Sequence, residues 1–128
     1  MADNIEKISD AELEILKVVW TKKAPSTYSE IRTALGGENG WDSSTIRTLI
    51  RRLVEKGVLL QEKKEVYYYI PTIAEAEFIK ARTKEFLHKV YGGDAKHLIS
   101  TMLSADVLSP DELEDVKEFW KRGRDGNE

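Results

Sequence analysis

The sequence predicts a mainly α fold with a small β wing. Residues 1–71 read as a winged helix-turn-helix, and residues 72–128 as a three-helix C-terminal region. Three observations predict it. Residues 41–57 carry apolar side chains at the 3.6-residue period of a helix. Two short β-branched and tyrosine-rich runs follow directly, at Val58 to Lys63 and Val66 to Ile70. Beyond Pro71 the pattern returns to helical spacing three more times.

Each element has its own local signals. Ser9-Asp10-Ala11-Glu12 is spaced as a capping box, in which a hydroxyl and a glutamate satisfy each other's backbone amides. The helix it opens points Leu13, Leu16, Val19 and Trp20 at a core, with Ile15 at the margin, and Thr21 to Pro25 breaks it. Thr27 and Glu30 form a second box before a shorter helix whose inner side is Ile31, Ala34 and Leu35. The stretch from Gly36 to Gly40 is a connector. Its glycines follow no strand and precede no Gly-Lys-Ser/Thr, so they do not form a phosphate loop.

Asp42 or Ser43 caps the next helix, and Gly57 supplies the left-handed stop. Its inner stripe is Ile46, Leu49, Ile50, Leu53 and Val54. The outer face carries Ser44, Thr48 and Arg51, with Arg47 on one flank and Arg52 and Lys56 on the other. Lys63 and Lys64 lie where the two strands join. Short hydroxyls and guanidinium groups on a helix, followed by a basic hairpin, suit a major-groove reader with a wing. Tyr67, Tyr68 and Tyr69 alternate along a strand and are expected to pack on helices or cover the sheet rather than stack on bases.

After Pro71, Thr72 to Glu75 reads as a third capping box. It opens a helix striped by Ile73, Ala76, Ile79, Thr83, Phe86, Leu87 and Val90, which ends at Gly92-Gly93. Asp94 caps a helix with Ala95, Leu98, Ile99, Met102 and Leu103 inward. Ser109-Pro110-Asp111-Glu112 combines a cap, a first-turn proline and a glutamate at the third position, ahead of Leu113, Val116, Phe119 and Trp120. The tail from Arg124 is expected to be disordered.

Charge is distributed unevenly. The whole chain is −3, yet residues 43–71 hold 6 Lys/Arg against 3 Asp/Glu, while residues 1–42 hold 5 against 8 and residues 72–128 hold 9 against 12. The only cationic block therefore coincides with the outward helix and wing, as a nucleic-acid face on an acidic body requires. The chain has no cysteine, which excludes disulfides, thiolate metal sites and thiol redox sensing. No apolar run approaches the roughly 18 residues that cross a bilayer, so no membrane insertion is expected. The N-terminus lacks the pattern of a signal peptide, which places the protein in the cytoplasm. No nucleophile–base pair or paired acid stands out, so neither enzymatic activity nor a cofactor is expected. His88 and His97 read as helix-surface residues rather than a metal site.

The 57 residues after Pro71 are too few to bury three apolar stripes, since a segment of about 60 residues hides only roughly 60% of its unfolded surface. Phe86, Val90, Leu98, Met102, Leu113, Val116, Phe119 and Trp120 therefore call for a partner, most simply a second copy. A two-fold homodimer would set two recognition helices on a dyad operator in double-stranded DNA.

With these motifs assembled, the chain resembles the penicillinase and methicillin-resistance repressors of the BlaI/MecI family, which includes copper-responsive relatives. The resemblance is carried by W-D-S-S-T-I-R-T-L-I-R-R-L-V-E-K-G, S-D-A-E-L-E-I-L-K-V-V-W, K-V-Y-G-G at Lys89 to Gly93, and L-S-P-D-E-L-E. It implies a winged-helix N-terminal domain, a helical dimerisation domain and repression of a resistance gene. Matched by position, it implies DNA contacts from Ser43, Ser44, Thr45, Arg47, Thr48 and Arg51, with wing support from Lys63 and Lys64. Arg47 suits guanine N7/O6 or a phosphate, Thr48 a thymine methyl or base edge, and the hydroxyls at the helix start a phosphate. The resemblance also implies a membrane sensor-protease that cuts an Asn–Phe bond in the C-terminal domain. The aligned bond here is Thr101–Met102, a departure that argues against that protease. Copper sensing through a cysteine cluster is excluded.

Two other classes stand beside this reading. A winged-helix protein-interaction module would have no use for the cationic block. A ligand- or metal-sensing regulator would need a pocket in the C-terminal half, which sequence does not reveal.

Overall fold

A computed structural model describes residues 7–36 and 40–126. The elements run α1 (Asp10–Lys22), β1 (Ser26–Thr27), α2 (Tyr28–Gly36), α3 (Ser43–Glu55), β2 (Leu59–Lys63), β3 (Tyr67–Pro71), α4 (Glu75–Tyr91), α5 (Ala95–Ser104) and α6 (Pro110–Gly126). This is a mainly helical chain with a three-stranded antiparallel sheet of order β1-β3-β2, the winged helix-turn-helix arrangement. Two compact units result, Met1–Lys84 and Glu85–Glu128.

In the first unit the local signals act as the residue types dictate. Ser9 Oγ accepts from the Glu12 amide at 3.1 Å while Glu12 Oε1 accepts from the Ser9 amide at 2.9 Å. Thr27 and Glu30 reproduce the same reciprocal pair at the start of α2. Asp42, not Ser43, caps α3. Gly57 turns the chain out of α3 with φ 78, a left-handed conformation that a side chain would strain. The wing is set by the register Leu59↔Pro71 through Lys63↔Tyr67, closed by the Lys64 amide donating to the Val66 carbonyl at 3.0 Å. The expected connector from Gly36 to Gly40 falls mainly on residues 37–39, outside the described residues.

The core gathers Ile15, Leu16, Val19, Ile31, Ile46, Leu49, Ile50, Leu53, Val58, Leu59 and Phe78. Burial of each large aliphatic side chain here stabilises the fold by about 1.5–3 kcal/mol. Several expectations are corrected. Ile15 is fully buried at the centre rather than at the margin, because α1 is covered by neighbours on more than one side, whereas Ala34 is exposed. The two-residue strand β1 was not anticipated. It exists through pairing with β3, Ser26↔Tyr69 and Thr27↔Tyr68, rather than through any run of β-formers.

Thr72 does not start α4. Its hydroxyl lies 2.7 Å from the Gly57 carbonyl and 3.0 Å from that of Val58, and the helix begins at Glu75. The inward side chain of α4 in this unit is Phe78, while Ile79 is 53% exposed. Phe78 meets Trp20 with ring centres 5.3 Å apart, and the Trp20 indole N–H donates to the Ile73 carbonyl at 2.9 Å. The compact unit thus continues past Pro71 into α4.

In the second unit, Gly92 and Gly93 hold φ 59 and 87 at the end of α4, Asp94 caps α5 by accepting from the His97 amide, and Ser109 with Glu112 closes a capping box ahead of α6. α6 runs through Gly126, past the point where a disordered tail was expected, and residues 127–128 lie outside the described residues. Among the described residues no helix is long and apolar enough to cross a membrane.

Candidate nucleic-acid interface

α3 buries Ile46, Leu49, Ile50 and Leu53, and this fixes what its other side shows. Arg47 and Arg51, one turn apart, flank a cleft of about 210 Å³ that also takes in Tyr28 from α2, Ile50, Gln61 from β2 and Tyr69 from β3. The Arg47 guanidinium carbon sits 3.9 Å from the centre of the Tyr28 ring. Burial pushes the Tyr69 hydroxyl above its ordinary pKa, with the nearby Arg47 charge pulling the other way. Around the helix, Ser44, Thr45, Thr48 and Arg52 line a second shallow cleft. The outer surface of α3 therefore has an arginine flank toward the wing and a hydroxyl flank with Arg52.

The start of α3 is already occupied by a negative group. Asp42 Oδ1 accepts from the Thr45 amide and from the Ser44 hydroxyl, both at 2.8 Å. Those bonds hold the Asp42 carboxyl below the usual carboxylate range. Ser43 begins the helix half-buried, and Thr45 and Ser44 are exposed. The Asp42 charge at this end repels an approaching anion, and the Thr45 amide is already taken by it.

The wing tip carries exposed Lys63 and Lys64. Lys63 Nζ lies 5.7 Å from the Tyr67 ring centre, and Lys64 Nζ 5.9 Å from that of Tyr68. Lys64 also approaches Glu62 at 3.5 Å, which offsets part of its charge. The three tyrosines diverge: Tyr67 is exposed, Tyr68 half-buried, and Tyr69 buried.

Lys56, expected on the outer flank, turns inward instead. Its Nζ lies 2.6 Å from Glu12 Oε1, drawn by a carboxylate that is only 2% exposed. Among the described residues no group of three or more His, Cys, Asp or Glu gathers at a metal-binding spacing.

The pattern of the penicillinase repressor family fits residues 8–122. The chain belongs to that family. It is 34% identical over 113 residues to the penicillinase repressor of Bacillus licheniformis, covering 88% of each chain. It is 31% identical over 123 residues to the methicillin resistance regulatory protein MecI of Staphylococcus aureus (strain N315), covering 95% of this chain and 99% of the relative. The solution structure of the DNA-binding domain of the repressor BlaI is 39% identical, covers 57% of this chain and 89% of that one, and superposes with a TM-score of 0.51.

Within this penicillinase repressor fold, reading the sequence missed Tyr28, Gln61 and Tyr69 as neighbours of Arg47. They come from three other elements, and no local spacing signals them. In the second unit Phe86, Val90, Val116, Phe119 and Trp120 are exposed in the single chain, by 46, 62, 55, 74 and 62%, while Leu98, Met102 and Leu113 are half-buried. The bond aligned with the family cut site, Thr101–Met102, lies inside α5. The Thr101 carbonyl accepts from the Ala105 amide at 2.8 Å and its hydroxyl donates to the His97 carbonyl at 3.0 Å.

Proposed function

We propose that this DNA-binding transcriptional repressor acts in the cytoplasm as a homodimer on a dyad operator, laying one α3 from each copy in a major groove. The observation that carries the reading is the outward row Arg47, Thr48 and Arg51 on a helix whose opposite face buries Ile46, Leu49, Ile50 and Leu53, next to the exposed Lys63 and Lys64 of the wing. Arg47 and Thr48 read base edges, and Arg51 with Thr45 and the wing lysines holds phosphates. Ser43 and Ser44 fix the approach of the helix start. The protein catalyses no reaction in this reading.

Dimerisation is supported by the second unit. Among its described residues none is buried in the single chain, and Phe86, Val90, Val116, Phe119 and Trp120 are all exposed. A second copy is the occupant of matching chemistry. Induction by a membrane sensor-protease is less well supported, because the Thr101–Met102 bond departs from Asn–Phe and is held in a regular helix.

Selection of bound duplexes from a random library by the full chain tests the whole reading, followed by titration of the recovered duplex against salt. A dyad motif is expected, with log K falling linearly in log salt at about −0.9 per phosphate contact. Recovery of no motif, together with equal affinity for any duplex, would overturn it.

A further inference from the structure

The stacking of Arg47 on Tyr28 goes beyond placing two residues in one cleft. A guanidinium is planar, and its N–H donors lie along its edge. At 3.9 Å from the ring centre, one face of Arg47 is covered by the aromatic surface. Among the described residues, no hydrogen bond or ion pair engages its side-chain donors. An ion-paired arginine would have to break a bond before reading a base. A stacked one keeps its edge available while its rotation is restricted, so less freedom is lost on binding.

The ring is itself held in place. Tyr28 is the first residue of α2, directly after Thr27, which is hydrogen-bonded to Glu30 in the first turn and pairs with Tyr68 in the wing. Its ring is half-buried against the core. Its hydroxyl is buried and has no hydrogen-bond partner among the described residues, so the ring and not the hydroxyl is what the site uses.

We propose that Tyr28 is a specificity-determining positioning residue. It forms a shelf, fixed by α2 and the sheet, that orients the Arg47 guanidinium for edge-on recognition of a base in the major groove. The inference rests on α3 being the base-reading helix.

The test uses the full chain, a labelled duplex carrying the selected dyad, and a scrambled duplex of equal composition. Tyr28→Leu is expected to weaken the dyad by about two- to fivefold, the scale of one exposed cation–π contact. The scrambled duplex and the salt slope should not change. Tyr28→Phe should bind as the parent does. In an Arg47→Ala background, Tyr28→Leu should change nothing further.

Equal weakening on both duplexes, loss that persists without Arg47, or no loss at all would each overturn the proposal. If the parent chain itself fails to distinguish dyad from scramble, the base-reading role of α3 falls as well. If it distinguishes them and Tyr28→Leu does so equally, only the shelf falls. A readout independent of any variant is the ring-current shift of the Arg47 side-chain protons in the free protein. Unshifted protons there would also overturn it.

Discussion

Lys56 Nζ lies 2.6 Å from Glu12 Oε1 and 2.6 Å from the Lys7 carbonyl, tying the end of α3 to α1 and the segment just before it. The same Glu12 oxygen accepts the Ser9 amide, so one carboxylate serves a capping box and an ion pair at once. The orientation of α3 against the core therefore depends on a buried charge that the other partner must match.

Glu12→Gln is expected to destabilise the protein by about 2–3 kcal/mol, toward the low end for a buried pair because the Lys56 side chain is 26% exposed and can turn to water. The pH dependence has a definite sign. Burial pushes the Glu12 pKa up, but hydrogen bonds from Lys56 and Ser9 and the Lys56 charge outweigh it and hold it below 4.5. A depressed folded pKa gives stability that is present above the unfolded value and lost as pH falls through the folded one. Melting temperatures measured from neutral pH downward should show the parent losing its advantage over Glu12→Gln only below about pH 4.5. A constant gap would contradict the assignment.

Phe78→Ala should cost about 3–5 kcal/mol, as removal of a buried ring does, while Ile79→Ala should stay within about 0.5 kcal/mol. A fragment ending at residue 71 should accordingly melt well below one ending at residue 84, since it lacks both Phe78 and the Ile73 carbonyl that receives the Trp20 indole. Thermal denaturation followed by circular dichroism decides between them.

Arg47→Ala should weaken the selected dyad by about 1–3 kcal/mol and relax preference at one base pair. Asp42→Asn keeps an oxygen to cap α3 but removes its charge. Roughly threefold tighter binding to any duplex is expected at low salt, fading as screening grows. Fluorescence anisotropy on selected and scrambled duplexes separates the two effects, because only Arg47→Ala should alter the ratio.

Phe119→Glu combined with Trp120→Glu places two charges on the exposed face of α6 and should convert the proposed homodimer to monomer without melting the first unit. Sedimentation velocity at several concentrations is the measurement. A variant that sediments as the parent does would place the interface elsewhere.

Local chemistry made much of this protein legible before folding. The Ser9, Thr27, Asp94 and Ser109 caps, the Gly57 stop and the α3 stripe follow from hydrogen bonds and periodicity within a few residues. Failures came where a distant segment competed. Thr72 gives its hydroxyl to the Gly57 and Val58 carbonyls instead of to α4, which begins at Glu75, and Phe78 rather than Ile79 packs inward. Lys56 turned from solvent to Glu12, 44 residues away.

The sequence by itself determined the order of the helices and the two wing strands, the cationic block at residues 43–71, and the outward placement of Arg47, Thr48 and Arg51, because helical period alone assigns a face once the opposite side is apolar. Only the tertiary structure decided what stands beside that face. Tyr28, Gln61 and Tyr69 line one cleft with Arg47 because β3 pairs with the two-residue strand before Tyr28 on one side and with Gln61 of β2 on the other, and such pairing is stabilised by partners far along the chain rather than by the propensities of Ser26 and Thr27.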